Sequence, residues 1–160
     1  MTGAEREITD INEIEDVLRS ARVCRIALID GEYPYIVPMC FGYNLTGEKL
    51  EIYFRCNEKG KKMELIRANK KAAFEIDKLH DIIQTDKALG FTAHYHSITG
   101  IGTIEIVTGI DKITGITLLT KKYHGGDSDN KFSEQTLNDC AILKLTADEL
   151  CCLESGSDVS

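Results

Sequence analysis

An Asp-Gly pair at residues 30–31, set between two β-prone segments, constrains the fold of this chain more than any other feature. Such a pair is a strong signal for a tight β-hairpin, because glycine readily adopts the left-handed backbone conformation that the turn needs. The pattern predicts one strand over residues 23–29 and its partner over residues 33–43.

Two prolines, Pro34 and Pro38, make the second of these strands unusual. Proline donates no backbone hydrogen bond, and residues four apart in a strand direct their amides to the same edge. We therefore expect this strand to be open on one side or bulged there.

The remaining apolar patterns predict further strands and three helices. Residues 49–54 alternate between apolar and polar side chains, as in a strand with one buried face. Apolar residues at helical spacing predict a helix over residues 10–20 with Asp10 as its N-cap. Because the strands follow one another in hairpins, we expect an antiparallel sheet or barrel with helices outside it. The other expected strands cover residues 72–76, 91–108 (with a bulge or bend near Gly100 and Gly102) and 140–146, and the other expected helices cover 60–69 and 111–123. We also expect a turn at 44–47, a polar loop at 125–131 and a frayed tail from about 155. Residues 78–90 have no clear pattern.

Length and composition indicate a single globular domain over residues 1–160. The net charge of 19 − 26 = −7 argues against a broad nucleic-acid surface, which needs clustered basic residues. The apolar runs are far shorter than the ~20 residues that span a bilayer, so we expect no membrane segment. The first 25 residues lack the apolar core of a secretory leader, and we expect a cytoplasmic protein whose six cysteines are reduced thiols.

A basic helix start follows the strand at residues 49–54. A short loop leads to Gly60, Lys61 and Lys62, where positive charge is unfavourable because the helix dipole is already positive there. A bound anion would remove this conflict, and free helix amides together with both lysines and Arg55 would form a phosphate site. Charge alone favours the alternative, a solvated basic patch.

An ordered set of motifs extends these observations over most of the chain. Pro-Tyr-Ile-Val-Pro at 34–38 is followed by Tyr-Phe-Arg at 53–55 and Gly-Lys-Lys at 60–62. A later strand carries Tyr-His-Ser-Ile at 95–98, with glycines at 100 and 102. The set covers roughly residues 7–145 and resembles the FMN-binding split-barrel superfamily, which includes pyridoxamine 5′-phosphate oxidase. Within it the chain looks most like the nitroimidazole-resistance (Nim-type) proteins.

The resemblance implies a six-stranded antiparallel split barrel with flanking helices, paired as a homodimer that holds flavin mononucleotide (FMN) between its subunits. Residues 37–40 would lie along the isoalloxazine edge, 53–55 would flank the ribityl chain, and 60–62 would hold the phosphate. Residues 97 and 98 would approach the ring, in one arrangement from the partner chain. The implied cofactor contacts are Val37, Pro38, Met39, Cys40, Tyr53, Phe54, Arg55, Gly60, Lys61, Lys62, Ser97 and Ile98.

The chain also departs from the proteins that it resembles in two respects. Several Nim-type proteins carry histidine where this chain has Lys61, and lysine strengthens a phosphate site but does not titrate near neutral pH. The segment 147–152 does not resemble the arginine- and proline-rich ending of true pyridoxamine phosphate oxidases, so we do not expect vitamin B6 oxidation.

The pair His94 and His96 could in principle ligate a metal, because residues two apart on a strand share a face. Further ligands would have to come from Cys24, Cys40, His80 or a second chain, and no spacing supports one set. We therefore expect polar strand residues near an interface, and no metal site.

Three functions are compatible with this sequence. The first is an FMN-dependent oxidoreductase that reduces a nitroaromatic or similar small acceptor, with Tyr95, His94 and His96 as candidate proton donors. The second is a non-catalytic flavin- or haem-binding protein that uses the same lysine site. The third is an interaction module with an empty groove.

Overall fold

The structure is a computed structural model that describes residues 5–125 and 132–156. Its strands join one antiparallel sheet in the order β3-β2-β6-β7-β8-β5-β4, and β1 pairs with the far end of β8. Helices lie against this sheet. The elements are β1 (Glu5–Glu7), α1 (Ile11–Ser20), β2 (Cys24–Asp30), β3 (Tyr33–Met39), β4 (Phe41–Thr46), β5 (Lys49–Cys56), α2 (Lys61–Ala68), β6 (Lys71–Gln84), β7 (Phe91–Val107), α3 (Gly109–His124), α4 (Glu134–Asn138) and β8 (Ala141–Ser155).

The first helix and the first hairpin form where the sequence predicts them. The Asp10 side chain accepts a hydrogen bond of 2.8 Å from the amide of Asn12, which caps α1. Gly31 adopts a φ of +60° in the turn between β2 and β3. Within residues 5–125 and 132–156, β3 pairs only with β2, and this edge position confirms that the proline-bearing strand is open on one side.

The prediction of a single strand over residues 33–43 is wrong. Cys40 interrupts it, and β3 and β4 lie at opposite ends of the sheet order. The sequence hides this break because apolar side chains continue across it, with both Met39 and Phe41 buried. The predicted turn at residues 44–47 likewise forms later, because β4 remains paired with β5 through Thr46.

The long strands extend beyond their predicted ends. The segment without a clear pattern continues β6 to Gln84, and β8 runs to Ser155 instead of residue 146. Both extensions pair with β7, so a tertiary contact stabilises them where the local sequence gives little indication. A register shift between Ile101 and Gly102 confirms the predicted irregularity, although the extra residue, Asp148, lies on β8.

The core and the sheet order confirm the split-barrel class, with eight strands where six were expected. One apolar cluster fills the inside of the barrel, and its fully buried members include Leu18, Ile52 and Phe54. A second, smaller cluster lies under α3 around Tyr53 and Ile142. The short helix α4, capped by Ser133, is not predicted by the sequence.

Three further expectations have different outcomes. All six cysteines are free thiols in the structure. In the described residues, no helix combines the length and apolarity needed to cross a membrane. The predicted polar loop at 125–131 lies almost wholly outside the described residues. Residues 157–160 of the predicted tail also lie outside them. Ser155, where the tail was expected to begin, is paired with both β1 and β7.

Candidate functional site

A groove of about 820 Å³ opens at the point where the chain leaves β3 for β4. The end of β3, the end of β5, the start of α2 and one side of α3 form its walls, and α4 closes one end. Its volume lies within the range of ~300–1,000 Å³ that is usual for small-molecule sites. The lining residues are Pro38, Met39, Cys40, Arg55, Asn57, Lys62, Ile116, Leu119, Thr120, Tyr123, His124, Phe132, Thr136, Asp139, Cys140 and Ile142.

The basic part of this groove combines side-chain and backbone donors. Arg55, the next-to-last residue of β5, is exposed, and the half-buried Lys62 lies in the first turn of α2. Among the described residues, no carboxylate forms an ion pair with either cation. The groove therefore holds two positive charges available to an anion.

The start of α2 adds free amides to these charges. Gly60 precedes the helix with a φ of +121° and provides no side-chain cap. The amides of Met63 and Glu64 bond to the Gly60 carbonyl oxygen at 3.1 and 3.2 Å. Within the described part of the chain, the amides of Lys61 and Lys62 have no backbone partner, as is usual at the start of a helix. Such amides favour an anion.

Lys61 points away from the groove. Its Nζ lies 2.5 Å from Oδ2 of Asp30 and 5.2 Å from the centre of the Tyr35 ring. The hydrogen bond to Asp30 raises the pKa of Lys61. The two adjacent lysines that the sequence groups together thus face different surroundings, and only Lys62 lines the groove.

The other implied contacts divide between the groove and the core. Pro38, Met39 and Cys40 line the groove, whereas Val37 packs against the main core. Tyr53 and Phe54 are fully buried on opposite faces of β5, so neither side chain is exposed to a ligand in this chain.

The later strand motif does not reach the groove within one chain. Ser97 lies on the outer face of β7, and Ile98 is fully buried inside the barrel. Pro38 pairs with Arg25 of β2, which pairs with Glu75 of β6, which pairs with Thr99 of β7. These three strand spacings separate the Ser97 region from Pro38 by ~14 Å.

The groove contains residues that the sequence analysis missed, and the most informative is Tyr123. Its hydroxyl accepts a hydrogen bond of 3.0 Å from the Phe41 amide and donates one of 2.7 Å to the Arg22 carbonyl oxygen. Burial raises the pKa of Tyr123 to about 12, so the hydroxyl stays protonated at neutral pH. This side chain holds α3 to the crossover between β3 and β4, and no local pattern indicates that role.

His124 also lines the groove, and it too was not predicted. The candidate proton donors named from the sequence, Tyr95, His94 and His96, do not line the groove. Both of these histidines lie instead at the distal part of the β6–β7 pair, together with His80.

Comparison with known proteins places this arrangement in a family. The family model described as pyridoxamine 5′-phosphate oxidase matches residues 10–151. No curated protein matches the chain significantly in sequence.

Several solved structures share the fold. One is provisionally named a 5-nitroimidazole antibiotic resistance protein, from Bacteroides thetaiotaomicron, with 20% identity over 94% of this chain and 87% of that chain, and a TM-score of 0.77. Another is an FAD- and haem-binding protein from Mycobacterium smegmatis, with 19% identity over 94% and 74% and a TM-score of 0.80. A flavocytochrome from Azotobacter vinelandii has 13% identity over 96% and 70% and a TM-score of 0.74. At these identities the likeness establishes the fold alone.

Proposed function

This chain belongs to the pyridoxamine 5′-phosphate oxidase family, and on that basis we propose that it is an FMN-binding oxidoreductase that reduces a small acceptor such as a nitroaromatic compound. The observation that carries the proposal is the groove beside β3. It joins two cations without a carboxylate partner among the described residues to an apolar wall, which matches a ligand with a phosphate at one end and a flat ring at the other.

The residues present fit such a ligand. Arg55, Lys62 and the free amides at the start of α2 would hold the phosphate through charge-assisted hydrogen bonds. Pro38 and Cys40 on one side, and Leu119 on the other, would contact the ring system. Pro38 lacks an amide, so this part of the open strand edge can approach a flat ring without leaving a donor unpaired.

When bound, the flavin supplies the electron transfer, and the protein supplies binding, orientation and exclusion of water. Ile116, Leu119 and Phe132 form the apolar side of the groove and keep water from its interior. Tyr123 fixes α3 against the crossover and so sets the width of the groove. His124 contributes an imidazole to the groove, and we assign it as the candidate proton donor.

The protein is proposed to act as a homodimer. Ile36, Ala27, Ala73 and Ile101 pair in succession across four strands and form a continuous apolar row on the outside of the sheet. Ile36 is 63% exposed and Ile101 is 50% exposed, which is typical of a surface that a partner covers. Ile36, at one end of the row, is two residues from Pro38 on the same face of β3. A second copy docked here would therefore bring its own residues, Ser97 among them, close to the groove.

Free thiols support one further part of the proposal. All six cysteines are free, and Cys40 is exposed within the groove. Such thiols are typical of a reducing compartment, so we place the protein in the cytoplasm.

A second candidate function is non-catalytic binding of a flavin or haem. It is favoured by the groove itself, since among the described residues His124 is its one histidine. Two of the structural neighbours are named as haem proteins. The visible spectrum of the purified protein separates flavin bands from a haem Soret band, and turnover with a reductant and a nitroaromatic acceptor separates catalysis from storage.

The phosphate anchor provides the sharpest test. Lys62→Ala and Arg55→Ala should each weaken FMN binding by about tenfold or more, because a hydrogen bond to a charged group is worth ~1.5–3 kcal/mol. Binding of riboflavin, which lacks the phosphate, should change much less. Lys61→Ala is the matched control, since Lys61 sits one residue earlier in the same helix turn but is paired with Asp30.

Fluorescence titration of both ligands with all three variants measures these differences. Equal losses for FMN and riboflavin would mean that Lys62 acts through folding rather than through a phosphate. A loss in Lys61→Ala as large as in Lys62→Ala would show that the Asp30 pair opens for the ligand. Absence of FMN binding by the unaltered protein would refute the proposed function.

A further inference from the structure

Three histidines converge at the distal part of the β6–β7 pair, away from the groove. His94 and His96 lie two apart on β7 and share a face. The register of β6 shifts between Leu79 and Asp81, so His80 falls at an irregularity and its ring joins the other two. One nitrogen from each of the three rings lies within 4.8 Å of the others.

The spacing of these nitrogens suits a metal ion. Nε2 of His80 lies 2.5 Å from Nδ1 of His96, and the remaining separations extend to at most 4.8 Å. Two nitrogens bound tetrahedrally to Zn²⁺ at 2.0–2.1 Å would be ~3.4 Å apart, which falls inside that range. The ring of His80 would have to move away from that of His96 to reach it, and His80 is exposed.

A carboxylate lies next to two of the three histidines, as is usual for imidazoles that bind a metal. Oε1 of Glu154 lies 3.3 Å from Nε2 of His94 and 3.7 Å from Nε2 of His96. Its Oε2 is held by Arg6 at 2.8 Å, so Glu154 is oriented and leaves one oxygen for the imidazoles. In His96 the carboxylate faces Nε2 while Nδ1 faces His80, which assigns Nδ1 as the nitrogen available to an ion.

We propose that His80, His94 and His96 bind one divalent transition-metal ion of the Zn²⁺ type, and that Glu154 orients two of the three rings. Imidazole nitrogens favour Zn²⁺, Cu²⁺ or Ni²⁺, whereas Ca²⁺ and Mg²⁺ require oxygen ligands. Three protein ligands leave a fourth position open, and the exposure of His80 shows that the cluster lies at the protein surface.

This site is distinct from the proposed flavin groove. None of its residues lines the groove, and the fourth histidine of the chain, His124, lies in the groove and not in the cluster. The metal proposal therefore does not depend on whether the protein binds FMN.

Zinc titration of the full chain tests the proposal. The protein, without an affinity tag, is treated with EDTA, exchanged into buffer with a phosphine reductant, and titrated with Zn²⁺ by calorimetry. We expect one equivalent per chain and a melting temperature that rises by several degrees with bound Zn²⁺. His80→Asn should lower the affinity at least tenfold, and because His80 is exposed at an irregularity this variant should fold.

Three further variants and one spectrum sharpen the result. His94→Asn should also lower the affinity at least tenfold, Glu154→Gln should lower it by about tenfold, and His124→Ala should leave it unchanged. Bound Co²⁺ should give visible absorption bands without sulfur charge-transfer bands, which separates imidazole from cysteine ligands. Equal zinc affinity in His80→Asn, His94→Asn and the unaltered protein would overturn the proposal, and so would a thiolate spectrum or the absence of binding at 100-fold excess Zn²⁺.

Discussion

The contact between β4 and α3 gives the most direct prediction from packing. Gly42 is buried where β4 passes under α3, and a Cβ at this position would lie 2.8 Å from the backbone carbonyl carbon of Leu118 and 2.8 Å from the amide nitrogen of Leu119. Ordinary contacts begin at 3.4 Å, so Gly42→Ala requires the helix to retreat by at least 3.4 − 2.8 = 0.6 Å. The obstacle is helix backbone, so no side-chain rotation can relieve it.

The expected magnitude follows from two opposing effects. Overpacking of this kind typically costs ~1–3 kcal/mol, while replacing a glycine within a strand by alanine returns roughly 0.5–1 kcal/mol of backbone entropy. The net destabilisation should be about 1–2 kcal/mol. For a chain of this size that corresponds to a fall of ~3–7 °C in melting temperature.

Thermal unfolding of Gly42→Ala, alone and combined with Leu118→Ala, checks this reasoning. Truncating Leu118 leaves the helix backbone in place. Adding Gly42→Ala to Leu118→Ala should therefore lower the melting temperature as much as adding it to the unaltered protein. The same displacement moves Leu119 and Tyr123 in the groove wall, and FMN binding should weaken several-fold. A melting temperature unchanged by Gly42→Ala, or restored by Leu118→Ala, would refute the close backbone approach.

Two other predictions concern charge and assembly. Burial opposes ionisation of Glu51, but hydrogen bonds from Lys144, Asn44 and Lys49 outweigh it and lower the pKa of that carboxyl. The ionised Glu51 therefore stabilises the fold above its unfolded pKa of ~4.3, and this stabilisation is lost as the pH falls through the lower folded pKa. Measured by urea unfolding, Glu51→Gln should be less stable than the unaltered protein by about 1 kcal/mol at pH 7, and the difference should vanish at low pH. A difference that does not change with pH would contradict this. Ile101→Asp should convert the proposed dimer to a monomer near 17.8 kDa by light scattering, and an unaltered protein that is already monomeric at micromolar concentration would rule out the dimer.

Local sequence patterns determine much of the fold. The capped helix α1, the hairpin at Gly31 and the edge position of β3 follow from side-chain periodicity, turn chemistry and missing proline amides. These features depend on residues within a few positions of one another. The ordered motifs also identified the superfamily, because their succession along the chain mirrors the succession of its elements.

Part of the groove was also predictable. Pro38, Cys40, Arg55 and Lys62 line it, as the motif resemblance implies. The sequence could not separate Lys62 from its neighbour Lys61, because that difference depends on Asp30 of another element.

Long-range packing decided the rest. Tyr123 reaches the crossover only because α3 folds back over β4, some 80 positions away in sequence. His80 joins His94 and His96 because β6 has an irregularity and pairs with β7, and spacing along the chain cannot indicate which distant residues a sheet register will bring together. The sequence alone therefore specified most of the elements and the family. The tertiary structure determined the ends of the long strands and which side chains share a site, since those features depend on the register and packing of elements distant in the chain.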